Sequence, residues 1–189
     1  PVRLRMTGKH TNKKQLEETL KHYTAIMARE LGDLDYGYND LGLEAHLLAL
    51  LGEKGWWLGT AESCTGDYLA HRLTSVAGSS SYFKGGYIPY SNECKTKWLG
   101  VAEELFVNHG AVSQEVVEAM VTGLLQNTGC DVGVAISGIA GPGGGTLEKP
   151  VGTIWIAVGN ADQKVSRLIK ASKDRSKNIE YAAGVAMNM

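Results

Sequence analysis

Apolar and charged residues alternate over Val2-Arg3-Leu4-Arg5-Met6, the period of two expected of a half-exposed strand. The spacing then turns helical. With Thr11 or Asn12 as N-cap, Leu16, Leu20, Tyr23, Ile26 and Met27 share one apolar face of a helix that ends near Gly32. Strand and helix together predict a small α/β appendage over residues 1–38, and a chain that opens inside a strand is expected to start mid-protein.

The turn-rich segment Gly37 to Gly42 separates that unit from the rest, with the boundary placed near Tyr38. A second amphipathic stripe follows over Leu43 to Glu53, stopped by Gly52 and Gly55. From there the pattern reads strand (Trp56 to Ala61), helix (Gly66 to Leu73), strand (Gly85 to Tyr90) and a helix from near Asn92. It continues with a helix over Ser113 to Asn127 and three strands over Val132 to Ser137, Gly152 to Val158 and Val165 to Ala171, then a last helix from about Ser176. This alternation predicts an α/β fold over residues 39–189, a sheet flanked by helices in α/β/α layers. Ser113 is a natural N-cap, and Glu115 adds negative charge to that helix's first turn.

Composition narrows the function classes. The 189 residues carry 19 basic and 20 acidic side chains, so no global field draws the chain to nucleic acid or an anionic bilayer. No apolar run approaches the roughly 20 residues of a spanning helix. The basic N-terminal segment lacks a signal-peptide core, which sets a cytoplasmic expectation. Cys64, Cys94 and Cys130 are odd in number and form no CxxC pair, so neither a disulfide framework nor a zinc site is expected.

Ser63 is the first candidate for chemistry. In Thr60-Ala61-Glu62-Ser63-Cys64-Thr65-Gly66-Asp67 it stands at a strand end with a glycine close behind, where a hydroxyl can be presented to a substrate carbonyl. Cys64 beside it is read as a small, partly buried residue rather than a thiol nucleophile. A base is offered by Tyr90-Ser91-Asn92-Glu93-Cys94-Lys95. Lys95 lies about one turn inside a helix that begins near Asn92, and desolvation together with the positive helix end lowers a lysine's pKa. Asn92 can point into the same cleft, and Tyr90 can relay or orient the proton. The bland alternative is a solvated lysine behind a turn and cap sequence.

The run Ser137-Gly138-Ile139-Ala140-Gly141-Pro142-Gly143-Gly144-Gly145 lets backbone N–H groups approach an anion or a developing oxyanion, or else forms a flexible loop. It is neither a Walker loop nor a GxGxxG fingerprint. Arg175 ahead of the last helix suits a phosphate or carboxylate clamp, or is a solvated helix-start charge. His109, in a turn before a glycine, reads as structural.

Five ordered segments carry a resemblance: Ala61 to Gly66, Tyr90 to Lys95, His109 to Ser113, Ser137 to Pro142, and Lys149-Pro150-Val151-Gly152-Thr153. From about residue 41 to 189 the chain resembles the C-terminal domain of the competence-damage-inducible CinA family, the nicotinamide-nucleotide amidohydrolases. Residues 1 to about 40 resemble that family's small linker domain. The resemblance implies deamidation of nicotinamide mononucleotide to nicotinate mononucleotide and ammonia, in pyridine-nucleotide recycling. It makes Ser63 the nucleophile, Lys95 its base and Tyr90 an assisting phenol. Thr65, Gly66, Asn92, Ser137, Gly138, Gly141, Gly143 and Arg175 become substrate contacts. No metal or cofactor is implied, the partner is a small nucleotide, and self-association through the covering helices is expected. Two departures stand out: Asp67 replaces a usual second glycine, and Pro89 replaces a usual small residue. The last helix is expected to be cut short at Met189. The alternative is a non-catalytic nucleotide-binding or regulatory module.

Overall fold

The computed structural model describes residues 4–32 and 42–189. The chain divides into two compact units, Pro1–Asp40 and Leu41–Met189. In the first, α1 (Lys13–Leu31) is capped by Asn12, whose side chain accepts from Lys14 N and Gln15 N, and it ends at Gly32 as expected. The strand expected over Val2 to Met6 is not present in its described part, Leu4 to Met6, and no strand is found among the described residues of this unit. Tyr23, expected on the apolar face of α1, is instead exposed. The expected boundary at Tyr38 and residues 37–41 of the turn-rich segment lie outside the described residues.

The second unit runs α2 (Leu43–Lys54), β1 (Leu58–Glu62), α3 (Tyr68–Thr74), β2 (Phe83–Tyr87), α4 (Asn92–Leu99), α5 (Glu103–His109) and α6 (Gln114–Thr128). It closes with β3 (Val132–Gly138), β4 (Thr153–Gly159), β5 (Lys164–Lys170) and α7 (Arg175–Met187). The five strands form one sheet in the order β2-β1-β3-β4-β5. β1 pairs in parallel with β2 and β3, while β4 and β5 add antiparallel neighbours. Helices cover both faces, giving the layered α/β/α arrangement.

The two faces are built differently. Leu58, Val134, Ile136, Ile154, Ile156 and Ile169 pack with Leu48 and Leu51 of α2, Leu69 and Leu73 of α3, and the alanines of α7. The opposite face carries Ala61, Ala135 and Ala157, with Gly59 and Gly133 also beneath α6. These small residues let α6 settle close to the sheet, and its Val116, Val117, Met120, Val121 and Leu124 are completely buried. At Gly123 the approach is tighter still, since a Cβ there would stand 1.8 Å from the Leu99 carbonyl oxygen at the end of α4.

Element ends deviate where local chemistry intervenes. β2 stops at Tyr87 rather than Tyr90, because Pro89 has no N–H for the ladder. β1 starts at Leu58, after Trp57 N has been taken by the Asp131 carboxylate. The short helix α5, with no side-chain cap, was not foreseen. Among the described residues no helix is long and apolar enough to cross a membrane.

Candidate active site

The parallel strands β1, β2 and β3 end side by side, and the chemistry-bearing segments leave from those ends. Ser63 directly follows β1 and is 7% exposed. Its N–H donates to Ile136 O at 2.9 Å, extending the pairing with β3 one residue past the strand. Lys95 enters from the first turn of α4, a helix capped by the Ser91 hydroxyl, and is 1% exposed. Its Nζ lies 3.1 Å from Ser63 Oγ, 2.9 Å from Pro89 O and 3.3 Å from Tyr90 O. The serine and lysine, thirty-two residues apart, are thus joined directly.

No carboxylate is among the hydrogen-bond partners of this amine. Burial pushes the pKa of Lys95 below the ordinary lysine value, against smaller opposing effects from Cys64 and Cys94. All three partners can accept from Nζ, and the same set also serves a neutral amine. Two N–H bonds go to the carbonyls, which can only accept, and the lone pair is left to face the one partner that can donate, the Ser63 hydroxyl. Cys64 is poorly placed to compete, because burial first and the Glu62 charge next push its thiol up to about 12.

Glu62, a residue to which sequence reasoning gave no role, anchors the turn behind Ser63. Its carboxylate accepts from Leu69 N at 2.9 Å and Ala70 N at 2.8 Å, capping α3 in place of Asp67, whose side chain makes no cap bond. Burial raises its pKa, while the Thr65 hydroxyl and these two N–H groups oppose the rise and Asp67 adds to it. Thr65 Oγ1 is close enough to act on that charge but stands outside hydrogen-bonding geometry with any neighbour. Gly66 turns the chain at φ 59°, and Asp67 follows at φ 80°, a left-handed conformation that favours glycine. The departure at Asp67 therefore falls where a glycine relieves the backbone.

The remaining residues separate into two groups. Arg175 donates to Gly141 O at 2.9 Å and to the Tyr90 hydroxyl at 3.2 Å, so it joins the glycine-rich loop to the segment that carries Lys95's acceptors. Tyr90 is 61% exposed and meets the lysine through its carbonyl, not its phenol. Gly141, at φ 92° and against Val151, belongs to the same clasp. Ser137 instead donates its hydroxyl to Ala111 O at 2.7 Å, bracing β3 against the turn before α6. Gly138 packs on Ile154, while Gly143 borders open space. Asn92 is exposed and lines a depression with Glu93, Thr96, Lys97, Glu103 and Phe106, so it does not share a cleft with Lys95. His109 sits in α5 with Glu115 3.4 Å away, in keeping with a structural role. A separate cavity of about 520 Å3, lined by residues including Trp56, Cys130 and Lys164, shares none with this pair. Among the described residues no three His, Cys, Asp or Glu side chains gather as a metal site.

Comparison with known proteins agrees on one family. Residues 40–189 match the CinA C-terminal domain. The chain is 41% identical over its full length to a CinA-like protein of Cytophaga hutchinsonii, covering 45% of that protein. It is 46% identical over 83% of its length to a putative competence-damage inducible protein of Moorella thermoacetica, covering 38% of it. The chain therefore spans less than half the length of these relatives. Among solved structures, competence/damage inducible protein CihA from Agrobacterium tumefaciens superposes with a TM-score of 0.76 at 32% identity, covering 81% of this chain and 96% of that one. The competence damage-inducible protein A from Klebsiella pneumoniae gives 0.75 at 35% identity, covering 77% and 90%. On the shared domain, the ordered motifs and the superposable fold, the chain belongs to the CinA family.

Proposed function

We propose that this chain is a serine amidohydrolase that deamidates nicotinamide mononucleotide to nicotinate mononucleotide and ammonia. The observation that carries the reading is the buried Lys95 amine 3.1 Å from Ser63 Oγ, with two carbonyls occupying its N–H bonds. The substrate follows from the resemblance of the five motifs to the family's amidohydrolase domain.

Neutral Lys95 takes the proton as Ser63 Oγ bonds to the carboxamide carbon. Among the described residues the N–H groups of Cys64 and Thr65, in the turn after the nucleophile, donate to no carbonyl, and the reading assigns them to the oxyanion. The lysine then returns the proton to the amide nitrogen as the C–N bond breaks, and ammonia leaves. Water adds to the acyl-enzyme with Lys95 again as base, and the serine hydroxyl is restored. Arg175 and the loop around Gly141 supply cationic and backbone groups suited to the anionic nucleotide.

Ammonia release from nicotinamide mononucleotide, measured for wild type and Ser63→Ala, tests this. Turnover in the wild type alone is expected. Binding of the nucleotide with no release above the Ser63→Ala background supports the binding-module alternative instead.

A further inference from the structure

α7 opens with two polar side chains three residues apart, so Arg175 and Asn178 share one helix face. Arg175 is exposed, whereas Asn178 is completely buried. A buried side-chain amide must satisfy two donors and an acceptor, and Asn178 does so entirely with neighbouring segments. Its Nδ2 donates to Ala140 O at 3.0 Å and to Ser172 O at 2.9 Å. Its Oδ1 accepts from Ser172 N at 2.8 Å and from the Ser172 hydroxyl at 2.9 Å.

These bonds reach the same stretch of loop that Arg175 holds. Asn178 grips the carbonyl of Ala140, and Arg175 grips that of Gly141, the next residue. Arg175 also donates to the Tyr90 hydroxyl, and the Tyr90 carbonyl accepts from the general base Lys95. A continuous set of bonds therefore runs from the buried amide through the glycine-rich loop and Arg175 to the residue that holds the base. The Ser172 bonds fix the strand-to-helix connection from which Arg175 projects.

We propose that Asn178 is a positioning residue, which holds the Ala140–Gly141 segment and Arg175 in the arrangement that receives the anionic part of a nucleotide substrate. The inference rests on the amidohydrolase reading for its substrate, but the clamp itself does not. The hydrogen bonds of Asn178 go to Ser172 and Ala140 and not to Ser63 or Lys95, so it acts on how substrate is held more than on bond breaking.

Asn178→Asp separates these roles. The aspartate keeps an oxygen for Ser172 N and its hydroxyl, but turns a second oxygen against the carbonyls of Ala140 and Ser172. KM for nicotinamide mononucleotide is expected to rise about tenfold or more, with kcat within about threefold of wild type. Labelling of Ser63 by a small fluorophosphonate is expected to keep its rate, and deuterium exchange at residues 139–145 to quicken while α6 stays protected. A fall in kcat and labelling with KM unchanged overturns the proposal, as does unchanged exchange in the loop. If wild type releases no ammonia, the amidohydrolase reading fails, and the exchange and labelling results alone decide the clamp. Should Asn178→Asp not fold, Ser172→Ala removes the exposed hydroxyl that donates to Asn178 and accepts from Asp174 N, and leaves the Ser172 main-chain bonds to Asn178 in place. It is expected to shift KM and loop exchange in the same direction by less, and no shift in either overturns the proposal.

Discussion

Replacing Lys95 by methionine removes the amine while nearly preserving side-chain length and volume at a site that is 1% exposed. The catalytic loss is that of a general base, about 10²–10⁴ in kcat, equivalent to about 3–5 kcal/mol of barrier. The effect on stability is expected to be much smaller. Pro89 O loses its donor inside the protein, at a cost of about 1–3 kcal/mol, while the exposed Tyr90 leaves its carbonyl within reach of water. Against that stands relief from holding an ammonium-forming group out of water with no carboxylate partner, so the net change is expected within about 2 kcal/mol. Ammonia release, with thermal unfolding on the same preparations, reads both quantities. A folded Lys95→Met protein retaining more than about a tenth of wild-type kcat refutes Lys95 as the base.

Other consequences are equally open to measurement. Because the base must be neutral and burial lowers its pKa below 10.5, kcat/KM is expected to fall about tenfold per pH unit below that lowered value, a limb absent from the residual rate of Lys95→Met. A flat profile down to pH 5 in the wild type contradicts a titrating base. Gly123→Ala drives a Cβ onto the Leu99 carbonyl oxygen and is expected to destabilise by about 2 kcal/mol or more despite alanine's helix preference, lowering Tm by roughly 4–8 °C. Gly143→Ala, which meets open space, serves as the neutral comparison for stability. Asp67→Gly relieves a left-handed backbone, and after glycine's greater unfolded-state entropy it is expected to stabilise by up to about 1 kcal/mol with turnover retained. A loss of more than about 1 kcal/mol in chemical denaturation contradicts that view of Asp67.

Much of the second unit was legible because its periodicities are strong. Val132 to Ser137 contains both the small residues that face α6 and the larger ones that face α3 and α7, and its period of two set the strand correctly. Asn12, Gly32 and Ser113 worked as caps because capping is local chemistry. Over Leu4 to Met6, the described part of the strand expected at the N-terminus, no strand forms, since alternation marks a half-buried edge but cannot supply a partner. Ser63 and Lys95 were nominated by residue type and the ordered motifs, whereas their three-way geometry with Pro89 O and Tyr90 O involves main-chain groups that every residue carries. Glu62 and Asn178 were missed in function because their partners are also backbone atoms. The available signals were slight: a carboxylate closing an apolar strand, and an asparagine one helical turn beyond an arginine. Asn92 and Ser137 had fitting chemistry and sequence position, yet one side chain lines a different depression and the other is spent on Ala111 O.

The covalent intermediate tests the central claim most directly. Wild type mixed with nicotinamide mononucleotide, quenched in acid on the millisecond scale and digested, is analysed by mass spectrometry of the peptide that contains Ser63 and Cys64. The expected result is a nicotinate-mononucleotide acyl group esterified to Ser63 and missing from Ser63→Ala. An adduct on Cys64, or ammonia release from Ser63→Ala at the wild-type rate, contradicts a Ser63–Lys95 acyl-transfer site.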